Sequence, residues 1–270
     1  MEQFVIYKDT TISYKTYGAG KPVMLIHGFS ERSFVWDKLI STLKENYLVI
    51  VPDIPGYNRD CTVGENELFV AGSIHEMAKA MIAVIRSSDL KEVIVLGHSM
   101  GGYIALEMLY INSRLVKGLG LLHSTANVDN NEKREARLKT IDFLERYEAG
   151  TFIKSTVVNL FGSAITEKEP DTLSNFYEAV GYINEKILTA NINAMLNRRQ
   201  QLETIAKSEF PVLFIIGEED KAVPVADVFV QTTLGLQSFV HLLPKCGHMG
   251  MIESPEVFNK AVKDYLEYFD

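Results

Sequence analysis

The sequence has little cysteine and no pattern that would bind zinc. Only two cysteines, Cys61 and Cys246, occur among 270 residues. They do not form a C-x-x-C pair and the histidines are scattered, so the ligand spacing of a structural zinc site is missing. The two thiols could form a disulfide. Because the chain starts with neither a basic segment nor a long apolar one, a reduced, cytoplasmic protein is the better interpretation.

An excess of positive charge and long apolar runs are missing as well. The chain carries 27 Lys and Arg against 35 Asp and Glu, a formal net charge of −8. This balance argues against a nucleic-acid or membrane-surface partner. The apolar runs are shorter than the roughly 18 residues that a membrane span needs. The composition is that of a globular protein, and the length suits one large domain or a core with an insertion.

Short apolar runs alternate with helical stretches over the first 123 residues. Runs of this kind are typical of strands that are covered on both faces, and the alternation predicts right-handed crossovers and a mostly parallel sheet. The runs include "VMLI" (23–26), "YLVIVPD" (47–53), "VIVLG" (93–97) and "VKGLGLLH" (116–123), and the predicted helices cover 34–44, 69–87 and 100–112.

The pattern changes between residues 124 and 208, where helical periodicity continues and no strand is indicated. Strands and helices then alternate again to the end of the chain, with helices predicted at about 225–234 and 254–269. We therefore predict an α/β core made of 1–123 and 209–270, interrupted by a helical insertion at 124–208 that roofs the core. A charged face of this insertion is expected to stay solvated, and it includes Glu132, Lys133, Arg134 and Arg137.

The segment "GHSMG" (97–101) follows a buried strand and precedes an apolar helix. It fits the G-x-S-x-G pattern, in which a sharp strand-to-helix turn exposes a serine nucleophile, here Ser99, and glycines avoid steric conflict. The turn also places the amide of Met100 at a helix N-terminus, where it can donate to a developing negative charge. A tight turn with a capping serine is the alternative. A dinucleotide-binding loop does not fit, because serine stands where its second glycine belongs.

A serine nucleophile needs a base and an acid that orients the base. His248 lies in the loop after the last predicted strand, at the same sheet edge as Ser99, while the other five histidines are interpreted as structural. The strand "VLFII" ends in Glu218, Glu219 and Asp220 at that edge. We favour Asp220 as the acid and expect the two glutamates to belong to a solvated turn.

The chain order Ser, Asp, His, with the segments "GHSMG", "GEEDKAVP" and "GHMGMIESPE", resembles the α/β-hydrolase fold superfamily over nearly the whole length. The resemblance implies a mostly parallel sheet of about eight strands with helices on both faces. It also implies that the insertion at 124–208 is a lid. In the family, the residue after the His-Gly pair of "HGF" (27–29) donates an oxyanion-hole amide, and that residue is Phe29 here. "DIPGY" (53–57) resembles a structural loop of the family, but Asn58 stands where glycine is usual.

These residues predict a serine hydrolase for esters or thioesters of small acyl groups, with no metal or organic cofactor. The same triad could instead cleave amide or carbon–carbon bonds, transfer acyl groups or catalyse perhydrolysis, and a non-catalytic ligand-binding fold is a further alternative. The oligomeric state is left open. Ordinary packing competes with a pocket role for most of the candidate substrate-binding residues, which are Phe29, Trp36, Phe143, Phe152, Phe161 and Met249.

Overall fold

A computed structural model of the chain describes residues 2–57 and 63–270. Asn58 and Cys61, which were singled out above, lie outside the described residues. Cys246 is buried with a free thiol. The strands are β1 (Glu2–Tyr7), β2 (Thr10–Tyr17), β3 (Lys21–Ile26), β4 (Tyr47–Pro52), β5 (Val93–His98), β6 (Val116–Leu122), β7 (Val212–Gly217) and β8 (Ser238–Leu243).

The eight strands form one sheet in the order β1-β2-β4-β3-β5-β6-β7-β8. β2 pairs antiparallel with both β1 and β4, and every other neighbouring pair is parallel. All residues of β5 and β7 are buried, because helices cover both faces of a parallel sheet. The predicted fold class is therefore confirmed.

The helices follow the predicted alternation, with two differences. The stretch predicted as one helix at 69–87 is two helices, because Gly72 ends the first and the Ser73 side chain caps the second by accepting from the Glu76 amide. The helix predicted to reach residue 234 ends at Phe229, before a segment of poor helix formers that contains two threonines and a glycine. The α-helices are α1 (Asp37–Leu43), α2 (Glu65–Ala71), α3 (Ile74–Ser87), α4 (Met100–Ile111), α5 (Asn131–Leu144), α6 (Ala149–Thr156), α7 (Ser163–Lys168), α8 (Pro170–Val180), α9 (Glu185–Leu196), α10 (Leu202–Ala206), α11 (Val225–Phe229), α12 (Gly250–Glu253) and α13 (Pro255–Leu266).

The chain between β6 and β7 holds α5 to α10 and no strand, and all of its backbone is described. Within the described residues, no single helix combines the length and apolarity of a membrane span. α2 and α3 reach them only together, as a pair bent by 101° at the break between them.

The parallel strands bring five loops to one edge of the sheet. Phe29 follows β3, Ser99 follows β5, His123 follows β6, Asp220 follows β7 and His248 follows β8. Because loops at the carboxyl ends of parallel strands meet at the same edge, residues far apart in sequence become neighbours there.

Candidate active site

Ser99 occupies a strained turn between β5 and α4. Its backbone has φ 49° and ψ −116°, a combination that non-glycine residues rarely adopt. A Cβ atom added to Gly97 would lie 2.2 Å from the Gly101 carbonyl oxygen, and one added to Gly101 would lie 2.3 Å from the Ile26 carbonyl oxygen. The two glycines are therefore required by close backbone contacts, as the sequence pattern predicted.

Hydrogen bonds to the Ser99 backbone hold this turn in place. The Ser99 amide donates to the Leu122 carbonyl at 3.0 Å, and the Ser124 hydroxyl donates to the Ser99 carbonyl at 2.7 Å. Met100 begins α4 directly after the turn, so its amide lies at the positive end of the helix dipole. The Ser99 hydroxyl makes no hydrogen bond to any described residue.

His248 and Asp220 form a buried pair. Nδ1 of His248 donates to Oδ2 of Asp220 at 2.7 Å, and both side chains are almost inaccessible to solvent. Burial alone would lower the pKa of His248, but the charge and hydrogen bond of Asp220 raise it above its ordinary value. Nε2 of His248 has no hydrogen-bond partner among the described residues, so this nitrogen can accept a proton.

The three acids after β7 have different partners. Oδ1 of Asp220 accepts from the amides of Ala222 and Val223 at 2.9 and 2.8 Å. Glu219 instead accepts from the Ser163 amide and hydroxyl, and Glu218 accepts from the Lys245 amide. Asp220 is thus the acid that contacts His248.

His123, interpreted above as structural, is a second histidine that contacts Asp220. Its Nδ1 donates to Oδ2 of Asp220 at 3.2 Å. Burial lowers the pKa of His123 to about 4, although the Asp220 carboxylate opposes that shift, so the ring is neutral at neutral pH. Burial would raise the pKa of Asp220, but the charge of His248 and the hydrogen bonds from both histidines hold it well below its usual range. The signal was available, because His123 follows a buried strand at the edge that carries Ser99.

Glu31 and His98 form a second buried acid–histidine pair that sequence reasoning missed. Nδ1 of His98 donates to the Glu31 carboxylate at 3.0 Å, and Nε2 donates to the His248 carbonyl at 2.8 Å. Glu31 also accepts from the Gly28 amide at 2.8 Å. Burial would raise the pKa of Glu31, but the charge and hydrogen bond of His98 lower it below its ordinary value. The pair therefore connects the loops after β3, β5 and β8.

The loop that carries Phe29 is also held from a second direction. The Ser30 amide donates to the Tyr57 hydroxyl at 2.9 Å, and Tyr57 donates to Oδ1 of Asn191 on α9 at 2.9 Å. His27 is buried and uses both ring nitrogens, on the Gly28 carbonyl and the Ile54 amide. His27 is therefore a structural histidine, as predicted.

A cavity of about 150 Å³ is lined by Phe29, Ser99 and His248. Helices between β6 and β7 supply a large part of its wall, including Phe152, Leu160 and Met195. The ring centroids of Phe29 and Phe152 are 6.2 Å apart, so the sheet loops and the insertion meet across this cavity.

Four of the six residues predicted to bind substrate do not line this cavity, and that part of the prediction is revised. Trp36, Phe161 and Met249 are buried in the hydrophobic core, because large apolar side chains near the site also fill the space behind it. Phe143 is half-buried and packs on Tyr147, with ring centroids 4.5 Å apart.

Arg137 does not lie on the solvated face of the insertion, where it was predicted. It is half-buried and lines the cavity together with Ser99. Its guanidinium donates to the buried Asp129 carboxylate at 2.6 Å, which turns the side chain inward. Glu132 and Arg134 on the same helix are exposed, as predicted.

His123, Asp220 and His248 offer ligand atoms that lie within 4.8 Å of one another. This spacing would suit a metal ion. Nδ1 hydrogen bonds from both histidines to one carboxylate oxygen account for the same spacing. No further group among the described residues has that arrangement of ligand atoms.

Known proteins resemble the chain over nearly its full length. A 2-hydroxy-6-oxo-6-(2'-aminophenyl)hexa-2,4-dienoic acid hydrolase from Metapseudomonas resinovorans is 29% identical, over 98% of this chain and 91% of the relative. A pimeloyl-[acyl-carrier protein] methyl ester esterase from Pseudoalteromonas atlantica is 23% identical, over 92% of this chain and 95% of the relative. These relatives are hydrolases of different bonds.

Solved structures share the fold. A thermophilic esterase from Thermogutta terrifontis superposes with a TM-score of 0.87 at 22% identity, covering 96% of this chain and 94% of the esterase. An enol-lactonase from Burkholderia xenovorans gives 0.87 at 16% identity, covering 98% and 100%. The family model of the alpha/beta hydrolase fold matches residues 21–255. With its sheet order and its strained serine turn, the chain thus belongs to the α/β-hydrolase fold family and is a hydrolase.

Proposed function

We propose that the protein hydrolyses carboxylic esters or thioesters of small acyl groups through a covalent acyl-enzyme. Ser99 is the nucleophile, His248 the general base and acid, and Asp220 the residue that orients His248. The observation that carries the proposal is the hydrogen bond of 2.7 Å from His248 to Asp220, beside a cavity that His248 shares with the strained Ser99.

The acylation step follows from the assigned atoms. Oγ of Ser99 attacks the acyl carbon while Nε2 of His248 takes the hydroxyl proton. The resulting imidazolium is stabilised by Asp220, which already accepts from Nδ1. The tetrahedral intermediate collapses, the bond to the alcohol or thiol breaks, and His248 returns the proton to that leaving group. The acyl group is then esterified to Ser99.

Deacylation repeats the sequence with water. His248 removes a proton from water, the hydroxide adds to the acyl carbon, and the bond to Ser99 breaks as His248 reprotonates Oγ. In both steps negative charge develops on the carbonyl oxygen. The amides of Phe29 and Met100 are proposed to donate to it, the latter aided by the helix dipole. The proposal needs no organic cofactor.

The size of the cavity limits the acyl group. Its volume is about 150 Å³, and an apolar protein cavity of about that size is filled by a molecule such as benzene. Sites for drug-sized ligands are larger, roughly 300–1,000 Å³. Phe29 and Phe152 are proposed to contact the acyl chain, and the insertion at 124–208 to act as the lid over it.

The test is covalent labelling followed by a panel of esters. A fluorophosphonate probe should label the protein at Ser99, and Ser99→Ala should abolish the labelling. The same variant should lower kcat for a short-chain ester by roughly 10⁴–10⁶-fold, with an unchanged Tm as the control for folding. Near-normal ester turnover by Ser99→Ala would contradict the mechanism.

Carbon–carbon bond hydrolysis by the same triad is the second candidate. It is favoured by the 29% identity to a hydrolase of a 2-hydroxy-6-oxohexadienoic acid. Incubation with such a substrate, followed by identification of the two carboxylic acid products, separates the two reactions. A kcat/KM for the dienoic acid far above that for every ester of the panel would replace the ester assignment.

A further inference from the structure

A buried charge cluster lies beside the cavity. Asp129 accepts from Nε of Arg137 at 2.6 Å and from Nη2 of Arg198 at 2.9 Å. Burial would raise the pKa of Asp129, but the hydrogen bonds from Arg198 and Arg137 lower it to about 2. The cluster therefore holds two guanidinium charges and one carboxylate charge at neutral pH.

The two arginines carry one more positive charge than Asp129 can balance, and no further carboxylate in the described structure pairs with them. Asp129 already accepts from both arginines, and the nearby Lys133 pairs with Asp227 at 3.1 Å. The other acid on the cavity wall, Glu31, is paired with His98. One positive charge of the cluster is thus left for a ligand to balance.

Arg137 is the member of the cluster that a ligand can reach. Its side chain is 22% exposed, whereas those of Arg198 and Asp129 are 4% and 2% exposed. Arg137 lines the cavity together with Ser99 and His248. Among the described residues its Nη1 contacts only the Met195 sulfur, at 3.1 Å, and a thioether is a weak acceptor. This nitrogen can therefore donate to a better acceptor inside the cavity.

We propose that Arg137 binds a carboxylate carried on the acyl chain of the substrate, so that the enzyme prefers half-esters of short dicarboxylic acids. This inference rests on the proposed ester hydrolysis by Ser99. A carboxylate has one negative charge, which matches the single excess charge, whereas a phosphate monoester carries nearly two. Arginine is also the side chain that best fits a planar carboxylate.

Two esters of the same shape test the preference. The nitrophenyl half-ester of succinate and nitrophenyl isocaproate have the same leaving group and the same branched end. They differ in charge, and because the carboxylate of the half-ester can also expel nitrophenol by attacking its own ester group, the rate without enzyme is subtracted for each ester. The wild-type kcat/KM should be at least about tenfold higher for the half-ester, as one charge-assisted hydrogen bond in a partly buried site allows. The ratio should fall as salt is added.

Variants on α5 assign the preference to one side chain. Arg137→Gln should bring the ratio of the two kcat/KM values close to one, and Arg137→Lys should keep part of it. Arg134→Gln is the matched control. It removes the same charge three residues away on the same helix, from an exposed side chain bonded to the Leu196 carbonyl, and should leave the ratio unchanged. An equal loss in Arg134→Gln would mean that the general charge of the helix, and not Arg137, sets the preference.

A binding measurement keeps this test separate from catalysis. Ser99→Ala protein should bind the methyl half-ester of succinate at least about tenfold more tightly than the neutral dimethyl ester, and the additional exchange Arg137→Gln should remove the difference. If Ser99→Ala still hydrolyses esters, the proposed function fails, while this comparison still decides the role of Arg137. Equal binding of both esters, or a ratio near one in the wild type, would overturn the inference and leave ester hydrolysis intact.

Discussion

Two buried acid–histidine pairs lie side by side at the candidate active site, and they differ in whether a ring nitrogen is left without a hydrogen-bond partner. In the pair of Asp220 and His248, one ring nitrogen meets the carboxylate and Nε2 has no partner among the described residues. In the pair of Glu31 and His98, both ring nitrogens meet acceptors. The two rings are 4.7 Å apart between centroids, so they share one environment.

The unpartnered nitrogen identifies the pair that can transfer a proton. A general base needs a nitrogen that can take a proton from the nucleophile, and of His248 and His98 only His248 offers one. Both ring nitrogens of His98 already face acceptors, the Glu31 carboxylate and the His248 carbonyl. The first pair is therefore the proposed proton carrier. The second holds the Gly28 amide and the His248 carbonyl in fixed positions.

Asp220→Asn gives the largest expected effect on this comparison. The Asn amide group can donate to Nδ1 of His248 and would favour the ring tautomer that cannot accept the serine proton. We expect kcat to fall by about 10⁴-fold, as a comparable change does in another Ser-His-Asp triad. Steady-state kinetics with a short-chain nitrophenyl ester measures the change.

Glu219→Gln is the matched control for that exchange, because it alters the neighbouring acid, which bonds to Ser163. Its kcat should stay within about threefold of the wild-type value, since this carboxylate does not contact His248. If Glu219→Gln proves crippling and Asp220→Asn mild, the acid has been assigned one residue too late.

The second pair should produce a smaller and different effect. Glu31→Ala leaves His98 and the Gly28 amide without their acceptor, so the loop that carries Phe29 loses an anchor. We expect kcat/KM to fall by roughly 10–100-fold, the size that a small misplacement of catalytic groups produces. The free energy of unfolding should also fall, by about 1–3 kcal/mol, since buried donors lose their acceptor.

Glu31→Gln distinguishes a positioning role from a catalytic one. Gln can accept from Gly28 and donate to Nδ1 of a neutral His98, so the three loops stay connected. We expect this variant to recover most of the kcat/KM lost in Glu31→Ala. An equal loss in both variants would mean that the negative charge, and not the connection, is what matters.

The sheet and the nucleophile turn could be predicted from sequence because both depend on local patterns. The apolar runs predict the strands, and the carboxyl ends of those strands predict the sheet edge where Ser99 and His248 lie. The helix break at Gly72 and Ser73 was missed because the apolar periodicity continues through it. The Ser73 side chain accepts from the Glu76 amide and so starts a new helix. This signal comes from one residue, whereas the apolar periodicity extends over the whole stretch.

Glu31, His123 and Arg137 could not be assigned in the same way, because their partners are distant in sequence or ordinary in appearance. Glu31 meets a histidine 67 positions away, and His123 meets an acid 97 positions away. Arg137 lies in a charged helix, so its sequence context indicates a surface residue. The hydrogen bond to Asp129, which orients the side chain inward, is visible only in the structure. Such contacts depend on how loops and helices pack, which no single segment encodes.

The pH dependence of the reaction should report the first pair alone. Asp220 raises the pKa of His248 above the ordinary histidine value of about 6.5. Because the base must be neutral, kcat/KM should rise with pH through an apparent pKa above that value and fall about tenfold per pH unit below it. A profile measured between pH 5 and 9 with a neutral ester checks this. A midpoint clearly below the ordinary value would contradict the assignment of His248 as the base.

The smallest expected effect concerns His123, the second donor to Asp220. His123→Phe keeps the aromatic ring that stacks on Phe258 at an interplanar angle of 7°, and it removes a buried Nε2 that has no partner in the described structure. Asp220 then has one donor fewer and holds the proton of His248 more strongly. The kinetic pKa should therefore rise by a few tenths of a unit while kcat/KM falls less than about tenfold, since one neutral hydrogen bond is lost.

His75→Phe is the control, because it removes a histidine paired with Glu107 and should not move the kinetic pKa. A kinetic pKa that stays fixed in His123→Phe would mean that the hydrogen bond from His123 to Asp220 does not affect the basicity of His248.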